Sequence, residues 1–110
     1  PSQFSFTSQG SVAQNTAFTS NTITLSGNGF SGGTAVLTGD STSKMSINSG
    51  TYVTGSATVQ SGDTISLRVT SASGAGLGRI ATLTISDITD DFRVTTAYSG
   101  GGGQGGGGPS

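Results

Sequence analysis

Apolar and polar residues alternate through most of this chain, and the clearest example is residues 61–73, SGDTISLRVTSAS. There Ile65, Leu67 and Val69 are separated by hydroxyl-bearing and charged residues. A period of two places the apolar residues on one face of a strand, so the pattern predicts a strand with one buried face and one wet face. The Ser-Gly-Asp triplet before it is typical of a turn.

The same alternation recurs from one end of the chain to the other. It predicts strands at residues 3–9, 21–26, 35–38, 44–48, 51–54, 79–86 and 91–96, and a short strand holding Ala57 and Val59 on one face. The residues predicted to point inward are Phe4, Phe6, Ile23, Leu25, Met45, Ile47, Ala81, Leu83, Ile85, Phe92 and Val94. Residues 12–18 either continue or re-pair the first strand after a break at Gly10. Loops or turns are predicted at residues 27–33, 39–43, 48–50, 71–78 and 87–90.

These elements amount to seven to nine short strands, repeating at the spacing of about 8 to 12 residues that is typical of all-β sandwiches and barrels. Each strand offers only two or three inward side chains, and these need a facing layer. We therefore predict two stacked sheets, with a closed barrel as the rival that periodicity does not separate. Ser, Thr and Gly dominate the sequence and Glu is absent, which disfavours helices.

Charge is sparse and excludes several classes of partner. The 110 residues carry four cations, five Asp and a formal net charge of −1. So weak a positive charge does not match the basic surface that binds a phosphate backbone, so no nucleic-acid partner is expected. No apolar run approaches the ~18 residues that span a bilayer, and the N-terminal residues lack the pattern of a signal peptide. Two origins of Pro1 stay open: removal of an initiator Met, or excision from something larger.

Candidates for chemistry are few, because the sequence has no His and no Cys. Histidine is the usual acid-base group near neutral pH and the commonest metal ligand. Asp87, Asp90 and Asp91 form the densest acidic group, but their spacing matches no defined Ca²⁺ loop, and Asp is also a common turn residue. Asp63 is expected to bond local backbone amides in a turn. We predict no catalytic residues, no metal site, no cofactor and no enzymatic activity.

Four stretches carry a resemblance to a known type of module. They are SNTITLSG at residues 20–27, MSINSGTYVTG at 45–55, VQSGDTISLRVTSAS at 59–73 and ATLTISDITDDFRVTT at 81–96. Together they resemble the immunoglobulin-like or fibronectin-III-like repeats of phage structural proteins and bacterial surface proteins. The resemblance implies an immunoglobulin-like antiparallel β-sandwich over residues 1–97, followed by a glycine-rich C-terminal tail over residues 98–110. Without a Cys pair or Trp, antigen-type recognition does not carry over.

Loops at the rim of a sandwich are where binding usually resides. The loops GNGFSGG and GAGLG are not followed by helix patterns, which argues against phosphate binding. We therefore identify Asn28, Phe30, Leu77 and Arg79 as candidate contact residues. Phe30 has two interpretations: an exposed anchor for a partner, or a side chain that folds back over the end of the core.

The tail, YSGGGGQGGGGPS, has the composition of a flexible linker. In a second interpretation another subunit or a neighbouring copy holds it through backbone hydrogen bonds. Contact candidates in this segment are Tyr98, Gly101, Gln104 and Gly106.

Three functional hypotheses follow. The first is a non-enzymatic assembly module of a phage virion, a capsid decoration or tail-associated protein whose partners are capsid or tail subunits or copies of itself. The second is an adhesion or spacer repeat of a bacterial surface or secreted protein. The third is carbohydrate binding on a sheet face through Tyr52.

Overall fold

A computed structural model describes residues 1–98. Within them the chain forms nine strands and no helix: β1 (Gln9–Val12), β2 (Ala17–Thr19), β3 (Ile23–Thr24), β4 (Gly32–Gly39), β5 (Lys44–Ile47), β6 (Ser56–Gln60), β7 (Thr64–Thr70), β8 (Gly78–Ile85) and β9 (Ile88–Thr96). The predicted all-β class is confirmed. No helix in this part of the chain is long and apolar enough to cross a bilayer.

The strands form two sheets. The larger sheet has the order β1-β9-β8-β4-β6. In the smaller sheet β7 is central, with β2 and β3 along one edge and β5 along the other. No strand pairing joins the two sheets within residues 1–98, which argues against a closed barrel. The ladders are antiparallel, as predicted, except that β1 runs parallel to β9.

The core lies between the two sheets and is built from the alternating apolar residues. β7 supplies Ile65, Leu67 and Val69, none of which is exposed to solvent. Across the core, β8 supplies Ala81, Leu83 and Ile85, and β9 supplies Phe92 and Val94, all equally buried. Burying such aliphatic or aromatic side chains stabilises a fold by about 1.5–3 kcal/mol each. The predicted inward faces of these strands are confirmed.

The N-terminal segment differs from its prediction. Phe4 and Phe6 are buried and meet edge to face, with ring centroids 5.9 Å apart, but residues 1–8 are not a strand. The backbone here is bonded by side chains: the Asp90 carboxylate accepts the Phe6 N–H at 2.7 Å, and the Asn21 side chain accepts the Thr7 N–H at 2.8 Å. The inward face was predicted correctly, while the first strand begins only at Gln9 and includes Gly10 instead of breaking there.

Several boundaries also shift. β4 begins at Gly32, inside the predicted loop at 27–33, and is twice as long as the predicted strand at 35–38. The segment 51–54 is not a strand; it contributes one bridge, from Val53 to Met45. The turn predicted at 87–90 is reduced to Ser86 and Asp87, since Ile85 already pairs with Ile88.

Candidate functional site

The predicted contact residues lie at opposite ends of the two-sheet body. Asn28 and Phe30 sit in the loop before β4, the end at which the β8–β9 hairpin also turns. Leu77, Arg79 and Tyr98 lie at the other end, where β8 begins and β9 ends. Gly101, Gln104 and Gly106 lie outside the described residues. The structure therefore brings three of the predicted residues to one end and separates them from Asn28 and Phe30.

Phe30 is not a free anchor. Its side chain is half-buried and packs against the core, and its ring approaches Gly33 on β4. Asn28 remains exposed at the tip of the loop. Of the two interpretations of Phe30, the structure supports the one in which the ring folds back over the end of the core.

Leu77 and Tyr98 are the most exposed of the large apolar side chains in residues 1–98, at 51% and 54%. We call these two residues the rim patch. The loop that carries Leu77 is held in place, since Thr96 Oγ1 accepts the Leu77 N–H at 2.9 Å and donates to the Gly74 carbonyl at 2.7 Å. The Tyr98 ring lies directly against Gly76, where a Cβ would stand only 2.6 Å from the ring carbon Cε1. The fold thus presents Leu77 from a loop fixed by hydrogen bonds, and Tyr98 from the segment after β9, with its ring packed against that loop.

Arg79 is engaged inside the molecule. Its Nε lies 3.6 Å from the Asp40 carboxylate, and one of its terminal nitrogens donates to the Thr70 carbonyl at 3.4 Å. Partial burial raises the pKa of the Asp40 carboxyl. Hydrogen bonds from the Thr42 hydroxyl and amide, together with the Arg79 charge, lower it by more, so the pKa of Asp40 is below its usual value. Arg79 therefore joins β8 to the loop after β4, which is a structural role.

The outward face of the smaller sheet carries a feature that sequence reasoning missed. Lys44 on β5 and Arg68 on β7 stand directly opposite each other. They border a shallow depression of about 380 Å³, which is lined by Ala17, Ser41, Thr42, Lys44, Arg68 and Thr70. We call it the cationic depression. Outward positions for Lys44 and Arg68 follow from the alternation in each strand, but the register that pairs them is not visible in the sequence.

Tyr52 lies beside this depression. The Arg68 guanidinium carbon is 4.0 Å from the centroid of the Tyr52 ring, a cation–π geometry. Burial raises the pKa of the Tyr52 phenol, but hydrogen bonds from Ser66, Thr19 and Arg68, together with the Arg68 charge, lower it overall. One face of the ring is thus covered by Arg68 and is closed to the sugar stacking that the third hypothesis requires.

Asp63, Asp90 and Asp91 make hydrogen bonds within the fold. The Asp91 carboxylate accepts a hydrogen bond from the Thr82 hydroxyl at 2.8 Å, and Asp90 bonds the Phe6 amide. Asp63 accepts from the Gln60 amide and the Asn48 side chain, at 2.8 and 3.0 Å, so it does bond a local amide. In residues 1–98 no three His, Cys, Asp or Glu side chains gather in a way that could hold a metal ion.

The buried hydroxyls of Ser71 and Ser20 likewise bond the backbone. The Ser71 hydroxyl accepts from the Thr16 amide and donates to the Ala13 carbonyl. The Ser20 hydroxyl accepts the Leu67 N–H. The glycine-rich segments before β4 and β8 lead straight into strands, whereas phosphate loops lead into a helix N-terminus. Among residues 1–98, the rim patch and the cationic depression are the surfaces considered for function, and both are suited to contact.

Comparison with protein families, with characterised proteins and with solved structures finds no match to this chain. The immunoglobulin-like or fibronectin-III-like relationship therefore rests on the resemblance alone.

Proposed function

We propose that this chain is a non-enzymatic assembly module, an accessory protein of a phage virion that docks on capsid or tail subunits. The observation that carries the proposal is the rim patch: Leu77 and Tyr98 are exposed, while the loop beneath them is fixed by hydrogen bonds to Thr96. Exposed apolar side chains on a pre-ordered surface lose little conformational freedom when a partner covers them. The absence of His and Cys from the sequence supports a binding role over a catalytic one.

We further propose that the two sheets are a variant of the immunoglobulin-like sandwich. The order β1-β9-β8-β4, with the first strand beside the last, supports this relationship. One connection departs from it: β5 joins β7 in the smaller sheet before β6 returns to pair with β4. Variable-type immunoglobulin domains also have additional strands, and there these strands extend the sheet that contains strand C.

The proposed role places the chain in the virion. Quantitative mass spectrometry of purified virions, encoded by the genome that carries this gene, should find the chain at a fixed ratio to a capsid or tail protein. Its absence from virions, together with its recovery in a bacterial envelope or secreted fraction, would contradict the virion proposal and favour the surface-repeat alternative.

A further inference from the structure

We propose that the cationic depression binds the carboxylate of an acidic saccharide, with the carboxylate held between Lys44 and Arg68. The depression is formed by different residues from the rim patch, so this proposal does not depend on the docking role. It also differs from sugar stacking on Tyr52, because here the aromatic ring only holds Arg68 in place.

Two like charges are placed side by side at this site. Lys44 and Arg68 are direct neighbours across the β5–β7 ladder, an arrangement that is destabilising when nothing compensates it. Among residues 1–98, the only ion pair within 4.0 Å joins Arg79 to Asp40, so neither Lys44 nor Arg68 has a carboxylate partner at that distance. Two of the chain's four cations therefore stand side by side, ready for an anion.

Arg68 is held in a fixed position by its neighbours. Its side chain is half-buried, lies over the Tyr52 ring at 4.0 Å and donates from Nε to the Thr19 hydroxyl at 3.3 Å. These contacts, with the hydrogen bond between Arg68 and the Tyr52 phenol, fix the guanidinium beside the depression, and within residues 1–98 no carboxylate lies within 4.0 Å to pair with its charge. A guanidinium is a donor fork that matches a carboxylate. Arg68 is thus pre-positioned, while the exposed Lys44 supplies a second charge.

The walls of the cationic depression carry hydroxyl groups. Hydroxyl-bearing residues Ser41, Thr42 and Thr70 share the depression with the small side chain of Ala17. Thr42 itself is fully used, since it bonds the Asp40 carboxylate and accepts the Thr70 amide. The hydroxyls of Ser41 and Thr70 suit the hydroxyls of a sugar that lies across this open depression.

Asp40 is the nearby acid that would oppose an anion. Its carboxylate accepts a hydrogen bond from Thr42 and lies beside the Arg79 guanidinium, which offsets its charge. Lys44, Arg68 and Arg79 with Asp40 give this region an excess of positive charge, in a chain whose formal net charge is −1.

The test is an NMR titration of the ¹⁵N-labelled full chain with trigalacturonate. We expect saturable shifts of the Thr42, Lys44, Arg68 and Thr70 amides, and none with neutral maltotriose. Arg68→Gln and Lys44→Gln should each weaken binding about tenfold, the size of a lost charge-assisted hydrogen bond. The matched control Arg93→Gln, which removes an exposed cation from β9, should leave the affinity unchanged.

Lys44→Gln removes a repulsive pair, so its midpoint of urea unfolding should not fall, which separates lost binding from lost folding. The proposal would be overturned by the absence of saturable shifts, or by an equal loss in Arg93→Gln. An equal response to inorganic phosphate or to an oligoglutamate peptide would overturn the saccharide assignment.

Discussion

The Ser20 hydroxyl accepts the backbone N–H of Leu67 at 2.8 Å, while the Ser20 amide donates to the Leu67 carbonyl at 2.7 Å. Ser20 lies in the gap between β2 and β3, so its side chain takes the place of a missing backbone acceptor along the central strand β7. Both residues are buried. One hydroxyl thus keeps the edge of the smaller sheet attached where the strand is interrupted.

Ser20→Ala should destabilise the protein by about 1–3 kcal/mol, because it leaves the buried Leu67 N–H without an acceptor. Urea unfolding followed by circular dichroism measures the change. Ser56→Ala, at an exposed position of β6, is the matched control and should change stability by less than about 0.5 kcal/mol. Equal effects of the two substitutions would show that the Ser20 hydroxyl is not a structural acceptor.

Replacing two other buried serines by alanine should have opposite effects on stability. Ser71 bonds both Thr16 and Ala13, so Ser71→Ala should cost about 1–3 kcal/mol. The Ser43 hydroxyl is buried without a hydrogen-bond partner among the described residues, so Ser43→Ala should be neutral or stabilising. Thermal unfolding of both variants compares them directly. A larger loss for Ser43→Ala than for Ser71→Ala would contradict the bonding described above.

Gly39 should be the less replaceable of two glycines with positive φ. Gly39, at φ 108°, faces the Ile80 carbonyl so closely that an added Cβ would collide with it, whereas Gly62, at φ 93°, faces open space. Gly62→Ala should cost about 1–2 kcal/mol from backbone strain alone. Gly39→Ala should cost more, because the β4–β8 ladder must also move. Chemical denaturation measures both, and similar losses would refute the close approach.

Acid should weaken the fold partly through Asp40. The folded-state pKa of Asp40 is depressed, so its ionised form stabilises the fold above the unfolded-state pKa of about 3.9. That stability is lost as the pH falls through the folded-state pKa. Asp40→Asn should therefore lower stability at pH 7 and show a smaller further loss on acidification than the parent chain. Urea unfolding at neutral and acidic pH measures this difference, and parallel pH curves would contradict it.

The sequence predicts the buried face of most strands because alternation depends only on local residues. It is correct even for Phe4 and Phe6, whose segment is not a strand. There the Asp90 and Asn21 side chains supply the hydrogen-bond acceptors that a neighbouring strand would otherwise provide. Such contacts join residues that are distant in sequence, and no local pattern shows them.

Contacts between residues distant in sequence also explain why the cationic depression was not predicted. The exposure of Leu77 and Tyr98 is consistent with their positions in and beside glycine-rich segments. The pairing of Lys44 with Arg68 depends on the β5–β7 register, and the parallel β1–β9 ladder depends on a pairing between the two ends of the domain. The alternation of apolar and polar residues shows neither of these pairings.

Co-sedimentation with virions that lack this gene product tests the docking account most directly. The purified full chain should bind such particles saturably, and so should Val36→Thr, which alters an exposed apolar residue of β4 outside the rim patch. The double variant Leu77→Ser and Tyr98→Ser should stay in the supernatant while unfolding at the parent temperature. Failure of the parent chain to sediment, or equal binding by the double variant, would contradict docking through the rim patch.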